Sequence, residues 1–394
     1  MLLCTPVSAV CLLLHAAPQP RITRSSCISA SGVTSNALAV LGGALSRIEP
    51  GKNQWKKIES APAWVLLPPS LPWACVHFVG GAGFGTAPHI AYDAMLSSLV
   101  QRLGIAVIAT PYDIGTDHWR LSKSVHAAFD VAVQEVRESS GLAASAPVYR
   151  LGHSLGAKLL TLGKVGPLVL EAGEYDNAEA ESASASASAS AASAAADAPL
   201  GLLAFNNFDL SDSITLASDL IARVQNDGGE GSRNADTART ILDAFGMVQQ
   251  VANAAGVGGT FEVSPTPSEL EESIRASYSA SSTAIWRFEG DGLDSSDGLV
   301  EALQAKSSPH MRESLAGSHL SPVVFRLEAK DIDPALELLL GSGRGFSFGS
   351  ASAVEPLCDA LCEWIWPSGM AKAPKQLVGS AEADPDGAVD VEVL

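Results

Sequence analysis

Acidic residues are absent from the first 48 positions of the chain, and the first is Glu49. Within that span an apolar stretch, Val10 to Ala17, precedes a Ser-rich basic piece, Arg21-Ile-Thr-Arg24-Ser-Ser-Cys-Ile-Ser. Few acids with Arg and Ser is the composition of an organelle transit peptide, and the apolar run ahead of it suits the signal portion of a two-part presequence. A terminus that is merely disordered has a similar composition. Residues 1–50 are therefore expected to be a presequence, removed from the mature protein and outside its fold.

Cysteine is scarce as well. Six are too few and too scattered for a disulfide framework, and Cys4, Cys11 and Cys27 fall in the leader. Cys358 and Cys362 are four apart in an apolar stretch with no second Cys/His pair at zinc spacing, so they read as buried thiols on one helix face. No metal and no cofactor is expected. No apolar run reaches the roughly 18 residues of a membrane-spanning helix. Basic charge is also short, with 25 Lys and Arg against 43 Asp and Glu and a formal charge of -18. Without a net basic field to attract phosphates, a nucleic-acid partner is excluded. Much of the negative charge lies in an insertion and a tail, so it says little about an active site.

What is present is apolar and regularly patterned. The chain has 394 residues, 47% of them hydrophobic, enough for one large domain with insertions or for two domains. Trp64 to Leu67 and Trp73 to Val79 have strand character, and a glycine loop follows, Gly80-Gly-Ala-Gly-Phe-Gly85. Tyr92, Leu96, Leu99 and Leu103 recur at helical spacing, Ile105 to Thr110 is a continuous apolar strand, and Leu121, Val125, Phe129, Ala132 and Val136 mark a longer helix. Strands resume at Leu200 to Phe205 and Thr283 to Phe288, and a helix near Val354 to Trp366 closes the pattern. Strands apolar on both faces that alternate with helices imply an α/β fold with a mostly parallel sheet flanked by helices. The folded domain is expected over residues 51–370, with a low-complexity Ser-Ala insertion at 174–199, a largely helical cap segment at 208–281 and an acidic disordered tail at 371–394.

The stretch Pro147 to Leu162 carries the chemistry. An apolar run leads into Gly152-His153-Ser154-Leu155-Gly156, and a Leu/Ala/Lys helix follows. This is the G-x-S-x-G form of a nucleophile elbow, a sharp strand-to-helix turn with a serine at its apex. The pattern recurs at Gly345-Phe346-Ser347-Phe348-Gly349, where the context is loop-like on both sides, so the flanking strand and helix favour Ser154. Acyl transfer by serine also needs a base, an acid that orients it, and donors for the oxyanion. The chain offers Ser154, then Asp291 or Asp294, then His319, in the order Ser, Asp/Glu, His of the α/β-hydrolases. Asp294 matches the usual offset past its strand slightly better, Asp291 lies closer to the strand, and one of the two is expected to cap the next helix. His153, beside the serine in sequence, is expected to point away from the base position, and His77 lies within a strand. The oxyanion donors would be the backbone N–H of Leu155 and one from Gly81 or Ala82. Dinucleotide binding by the glycine loop fails on spacing, because Thr86 stands where the third glycine of G-x-G-x-x-G belongs.

Several blocks together resemble an α/β-hydrolase-like family of plants, algae and cyanobacteria defined as a domain of unknown function. They are His77 to Pro88, Thr110 to Asp113 with Asp117-His118, the Gly152 elbow, Phe205-Asn-Asn207, Ser264 to Pro267, Phe288 to Asp294 and Gly317 to Pro322. The Ser-Ala insertion and Gly83, where bulkier residues are usual, depart from its pattern. The resemblance implies an α/β-hydrolase fold and a chloroplast location, and it does not choose between Asp291 and Asp294. Two functions are therefore in play. One is hydrolysis or transfer of an ester or thioester acyl group in the plastid, on a small-molecule or lipid substrate. The other is a non-catalytic binding or assembly protein, with a protein partner, that kept the fold and lost the chemistry.

Overall fold

The structure, a computed structural model, describes residues 55–113, 115–165, 198–207, 263–327 and 346–366. The expected presequence, nearly all of the Ser-Ala insertion, the cap segment up to residue 262 and the acidic tail lie outside the described residues, and the remainder of the expected cap, 263–281, holds a helix packed on the sheet.

Eight strands form one sheet: β1 (Lys56–Lys57), β2 (Trp64–Leu66), β3 (Cys75–Val79), β4 (Ala106–Ala109), β5 (Val148–His153), β6 (Leu200–Leu203), β7 (Thr283–Phe288) and β8 (His310–Leu315). Their spatial order is β1-β2-β4-β3-β5-β6-β7-β8. From β4 across to β8 every pairing is parallel, while β1 with β2 and β2 with β4 are antiparallel. This is the strand order of the α/β-hydrolase fold, with its antiparallel second strand. The chain leaves β3 to one side for β4 and returns to the other side of β3 for β5. Such a switch point opens a crevice beyond the carboxyl ends of β3 and β5.

Both faces of the sheet are covered, which explains the strands' continuous apolar runs. Every residue of β3, β4 and β6 is buried. On one face, α1 (Asp93–Leu103) and α6 (Ala351–Ile365) pack Leu96, Leu99, Leu357 and Leu361 against Val76, Phe78, Leu203 and Trp286. The opposite face is covered by α2 (His118–Ser140), α3 (Leu155–Leu162), α4 (Pro267–Ser277) and α5 (Ser296–Ala305). Each fully buried large side chain contributes about 1.5–3 kcal/mol, so the sheet is a rigid base for the loops at its carboxyl edge. Helix ends follow local chemistry. The Asp117 carboxylate accepts from Arg120 N–H at 2.9 Å, Gly141 ends α2 in a left-handed conformation (φ 72°), and Thr266 with Glu269 forms a capping box on α4.

One element differs from the sequence expectation. β8, His-Met-Arg-Glu-Ser-Leu, is an edge strand exposed along most of its length, so it lacks the apolar run that marks the inner strands. Within the second G-x-S-x-G pattern, Phe346–Phe348 forms β10, antiparallel to β9 (Phe325–Leu327) in a separate two-stranded sheet. Ser347 therefore lies within a paired strand.

Candidate active site

Ser154 occupies the turn between β5 and α3 with φ 55° and ψ -121°. A non-glycine residue in that region carries strain of about 1–3 kcal/mol, which the surrounding packing must hold. Ser154 N–H donates to the Leu203 carbonyl at 2.9 Å, continuing the pairing of β5 with β6. The two glycines of the motif allow α3 to double back on the sheet. A Cβ on Gly152 would stand 2.7 Å from Ala157 Cα, and one on Gly156 would run into the Val79 and Gly80 carbonyl oxygens.

Asp291 and His319 reach the serine from the far side of β6. Phe288 of β7 is in register with Leu315 of β8, and the pairing continues outward through Glu289 N–H to Leu315 O at 3.0 Å and Gly290 N–H to Gly317 O at 2.9 Å. Those bonds bring the loop after β7 beside the loop after β8. The Asp291 carboxylate then lies 2.9 and 3.0 Å from His319 Nδ1, and His319 Nε2 lies 2.8 Å from Ser154 Oγ. A carboxylate only accepts, so Nδ1 carries the imidazole proton and Nε2 is free to accept the serine hydroxyl hydrogen. Ser154, Asp291 and His319 are all buried. Leu293 N–H donates to Asp291 Oδ1 at 2.8 Å and fixes that side chain in turn.

Asp294, the other candidate acid, does something different. Its Oδ1 accepts from Ser296 N–H at 3.0 Å and from the Ser296 hydroxyl at 2.5 Å, at the start of α5. Burial pushes its carboxyl pKa up, the Ser296 bonds oppose the shift, and the Asp291 charge adds to it. The turn geometry explains the division of labour. Asp291 N–H bonds back to Phe288 O at 3.0 Å, which keeps that residue at the strand end beside the histidine loop, while Asp294 is tied to Ser296, the first residue of α5.

The glycine loop also resolves. Gly81 N–H donates to the Tyr92 hydroxyl at 2.8 Å, so it is engaged and is set aside as an oxyanion donor. Among the described residues, the Ala82 and Leu155 N–H groups donate to no protein acceptor. Leu155 opens α3 directly after the serine, where the helix N-terminus adds a favourable field for negative charge.

Other histidines are buried but differently employed. His153 bonds elsewhere than to Ser154, with Nδ1 2.8 Å from Tyr92 Oη and Nε2 2.8 Å from the His319 carbonyl oxygen. His77, in β3, faces an Arg150 guanidinium nitrogen and the Thr110 hydroxyl, each at 2.8 Å. His118 opens α2, where burial pushes its pKa down to about 3. Lys158 of α3 is buried, donates to the Pro265 carbonyl at 3.2 Å, and is pushed down to about 8 by burial. With His118 N–H on Ser264 O at 2.7 Å and Asn207 Nδ2 on Pro267 O at 3.1 Å, it anchors the chain where it re-enters the described fold. These roles of Tyr92, Lys158 and Asn207 were not legible in the sequence, where Tyr92 shows only as one member of an apolar helix face. Among the described residues no cluster of three or more His, Cys, Asp or Glu could hold a metal ion, and no helix is long and apolar enough to cross a membrane.

A family model described as a protein of unknown function (DUF1350) matches residues 54–172, which span the glycine loop, β3 to β5 and the elbow. A search of curated proteins finds no significant match. Among solved structures, a hormone-sensitive lipase from a metagenome library is 14% identical, covering 85% of this chain and 96% of its own, with a TM-score of 0.42. The Francisella virulence factor BioJ is 11% identical, covering 86% of this chain and 93% of its own, at a TM-score of 0.43. A fungal esterase from Rhizomucor miehei is 15% identical, covering 88% and 94%, at 0.40. At these identities and scores the fold assignment stands on the strand order and the elbow. The chain has an α/β-hydrolase fold and carries a DUF1350 match over its amino-terminal half-sheet.

Proposed function

We propose that this protein is a serine hydrolase or acyltransferase acting on an ester or thioester acyl group, with Ser154 as nucleophile, His319 as base and Asp291 as the orienting acid. The observation that carries the reading is the unbroken line from Asp291 through His319 to Ser154 Oγ at 2.8–3.0 Å, ending on a serine held at a strained apex. Ser154 Oγ would attack the acyl carbonyl carbon as its proton passes to His319 Nε2. The imidazolium so formed faces the Asp291 carboxylate, and the negative oxygen of the tetrahedral adduct would meet the N–H groups of Leu155 and Ala82. On collapse, the leaving alcohol or thiol takes the proton from Nε2. Water, or an acceptor hydroxyl or thiol, then attacks the acyl-serine by the same route in reverse.

The acid-free leader supports a plastid site of action, with residues 1–50 removed there. The apolar residues within 208–262, which precede the sheet-covering helix α4 in the insertion between β6 and β7, support a cap and an acyl substrate of lipid or small-molecule type. The test is hydrolysis of p-nitrophenyl and thioester acyl substrates of graded chain length, with Ser154→Ala as the control. Turnover that vanishes in Ser154→Ala supports the reading. Turnover that survives the substitution overturns Ser154 as the nucleophile, and no turnover on any substrate favours the non-catalytic binding protein.

A further inference from the structure

His153 is buried within 5.1 Å of the His319 ring, centroid to centroid, yet the proposed reaction does not use it. Its hydrogen bonds fix its state. Nε2 faces a carbonyl oxygen, which can only accept, so Nε2 carries the proton and donates to His319 O. Nδ1 is therefore an acceptor, and the group 2.8 Å from it, Tyr92 Oη, must donate. The Tyr92 oxygen is in turn left to accept Gly81 N–H at 2.8 Å. Every donor and acceptor along the line is satisfied in one direction: Gly81 N–H to Tyr92, Tyr92 O–H to His153, His153 N–H to the His319 backbone. Burial, reinforced by the neighbouring His319, pushes the His153 pKa down to about 3, and burial pushes the Tyr92 phenol up, so both groups stay neutral.

The line joins three parts of the site that are far apart in sequence. Gly81 lies in the loop that presents Ala82 N–H, His153 is covalently attached to Ser154, and His319 carries the base. The loop is seated closely, since a Cβ on Gly81 would stand 2.9 Å from His153 Nδ1 and 3.1 Å from Ser154 Cβ. Buried and fully paired networks of this kind are rigid because any displacement leaves a polar group without a partner. The Arg150–His77–Thr110 line, by contrast, links only core strands and touches no residue of the proposed triad.

We infer that His153 and Tyr92 are positioning residues, holding the His319 backbone and the glycine loop in fixed relation to Ser154. The inference rests on the serine reading above. It predicts that loosening either bond misplaces the base or the oxyanion donor, and misplacement by about an ångström costs up to about a hundredfold in rate.

The test uses the full chain, a fluorophosphonate as the reactive probe, and three variants: Tyr92→Phe, His153→Gln and His153→Leu. Tyr92→Phe should lower the limiting rate of inactivation roughly ten- to a hundredfold with little change in the half-saturating probe concentration. His153→Gln, which keeps an N–H able to reach the His319 carbonyl, should lose less than His153→Leu. ¹⁵N-histidine spectra supply a second measurement that does not depend on activity: His153 should stay neutral with its proton on Nε2 from about pH 8 to about pH 5, well above its depressed pKa. Folded variants that inactivate at the wild-type rate overturn the positioning role alone. A His153 that titrates in that range or carries its proton on Nδ1 overturns the hydrogen-bond line itself. A wild type that never reacts, with the ¹⁵N pattern intact, overturns the serine reading and the positioning role with it.

Discussion

His77 and His319 are both buried histidines with both ring nitrogens engaged, but they face opposite charges. His319 stands between a carboxylate and a serine hydroxyl, while His77 stands between a guanidinium and a threonine hydroxyl. Arg150 donates to His77 Nδ1, so that ring must accept there, and burial with the Arg150 charge drives its pKa well below the ordinary value. A second proton on His77 would place two cations side by side in the core. A second proton on His319 would face Asp291 instead. The difference teaches that burial and a hydroxyl partner do not make a base. A carboxylate behind the ring, and a strained serine in front of it, are what distinguish the site from the core.

The largest expected effect removes that carboxylate's charge. Asp291→Asn should reduce turnover on the order of 10⁴-fold, while Asp294→Asn, which disturbs the bonds to Ser296, should leave it within a few-fold. Steady-state rates of the two purified variants decide between them, and equal losses would erase the distinction drawn between the two acids.

A second expectation concerns acid. His77, His89, His118 and His153 are all held below their ordinary pKa, chiefly by burial. The unfolded chain binds more protons than the folded one between the ordinary value near 6.5 and the depressed ones. Stability is therefore full above that value and falls as pH drops, each such group contributing about 1.4 kcal/mol per pH unit in the window. Urea unfolding at pH 7.5 and 5.5 should show the loss, and a flat profile would contradict the buried neutral histidines.

A smaller effect separates the two histidines directly. His77→Phe leaves the Arg150 N–H without its acceptor and should cost about 1–3 kcal/mol of stability, with the rate per folded molecule unchanged. A fall in that rate would tie the core cluster to the chemistry. The smallest expected effect is none: Ser347→Ala, in the paired strand β10, should leave covalent labelling untouched.

Much of this arrangement was legible from local pattern. β7 was expected at its observed bounds, Thr283 to Phe288, and the strand-turn-helix context singled out the Gly152 elbow over the pattern around Ser347. The choice between Asp291 and Asp294 was not legible, because both follow the same strand within a few residues and the deciding bond, Gly290 to Gly317, joins segments whose pairing is non-local. β8 was missed for a related reason, since an exposed edge strand has no apolar run to reveal it. Sequence spacing alone makes Gly81 an oxyanion-donor candidate. Its N–H is engaged by Tyr92, a residue whose helical periodicity records its packing and conceals its hydroxyl.

The most direct test of the account is covalent labelling of the folded protein by a fluorophosphonate, followed by peptide mass spectrometry. One adduct per chain is expected, on Ser154, absent from Ser154→Ala and retained in Ser347→Ala. No adduct on the folded wild type, or an adduct on another serine, would contradict it.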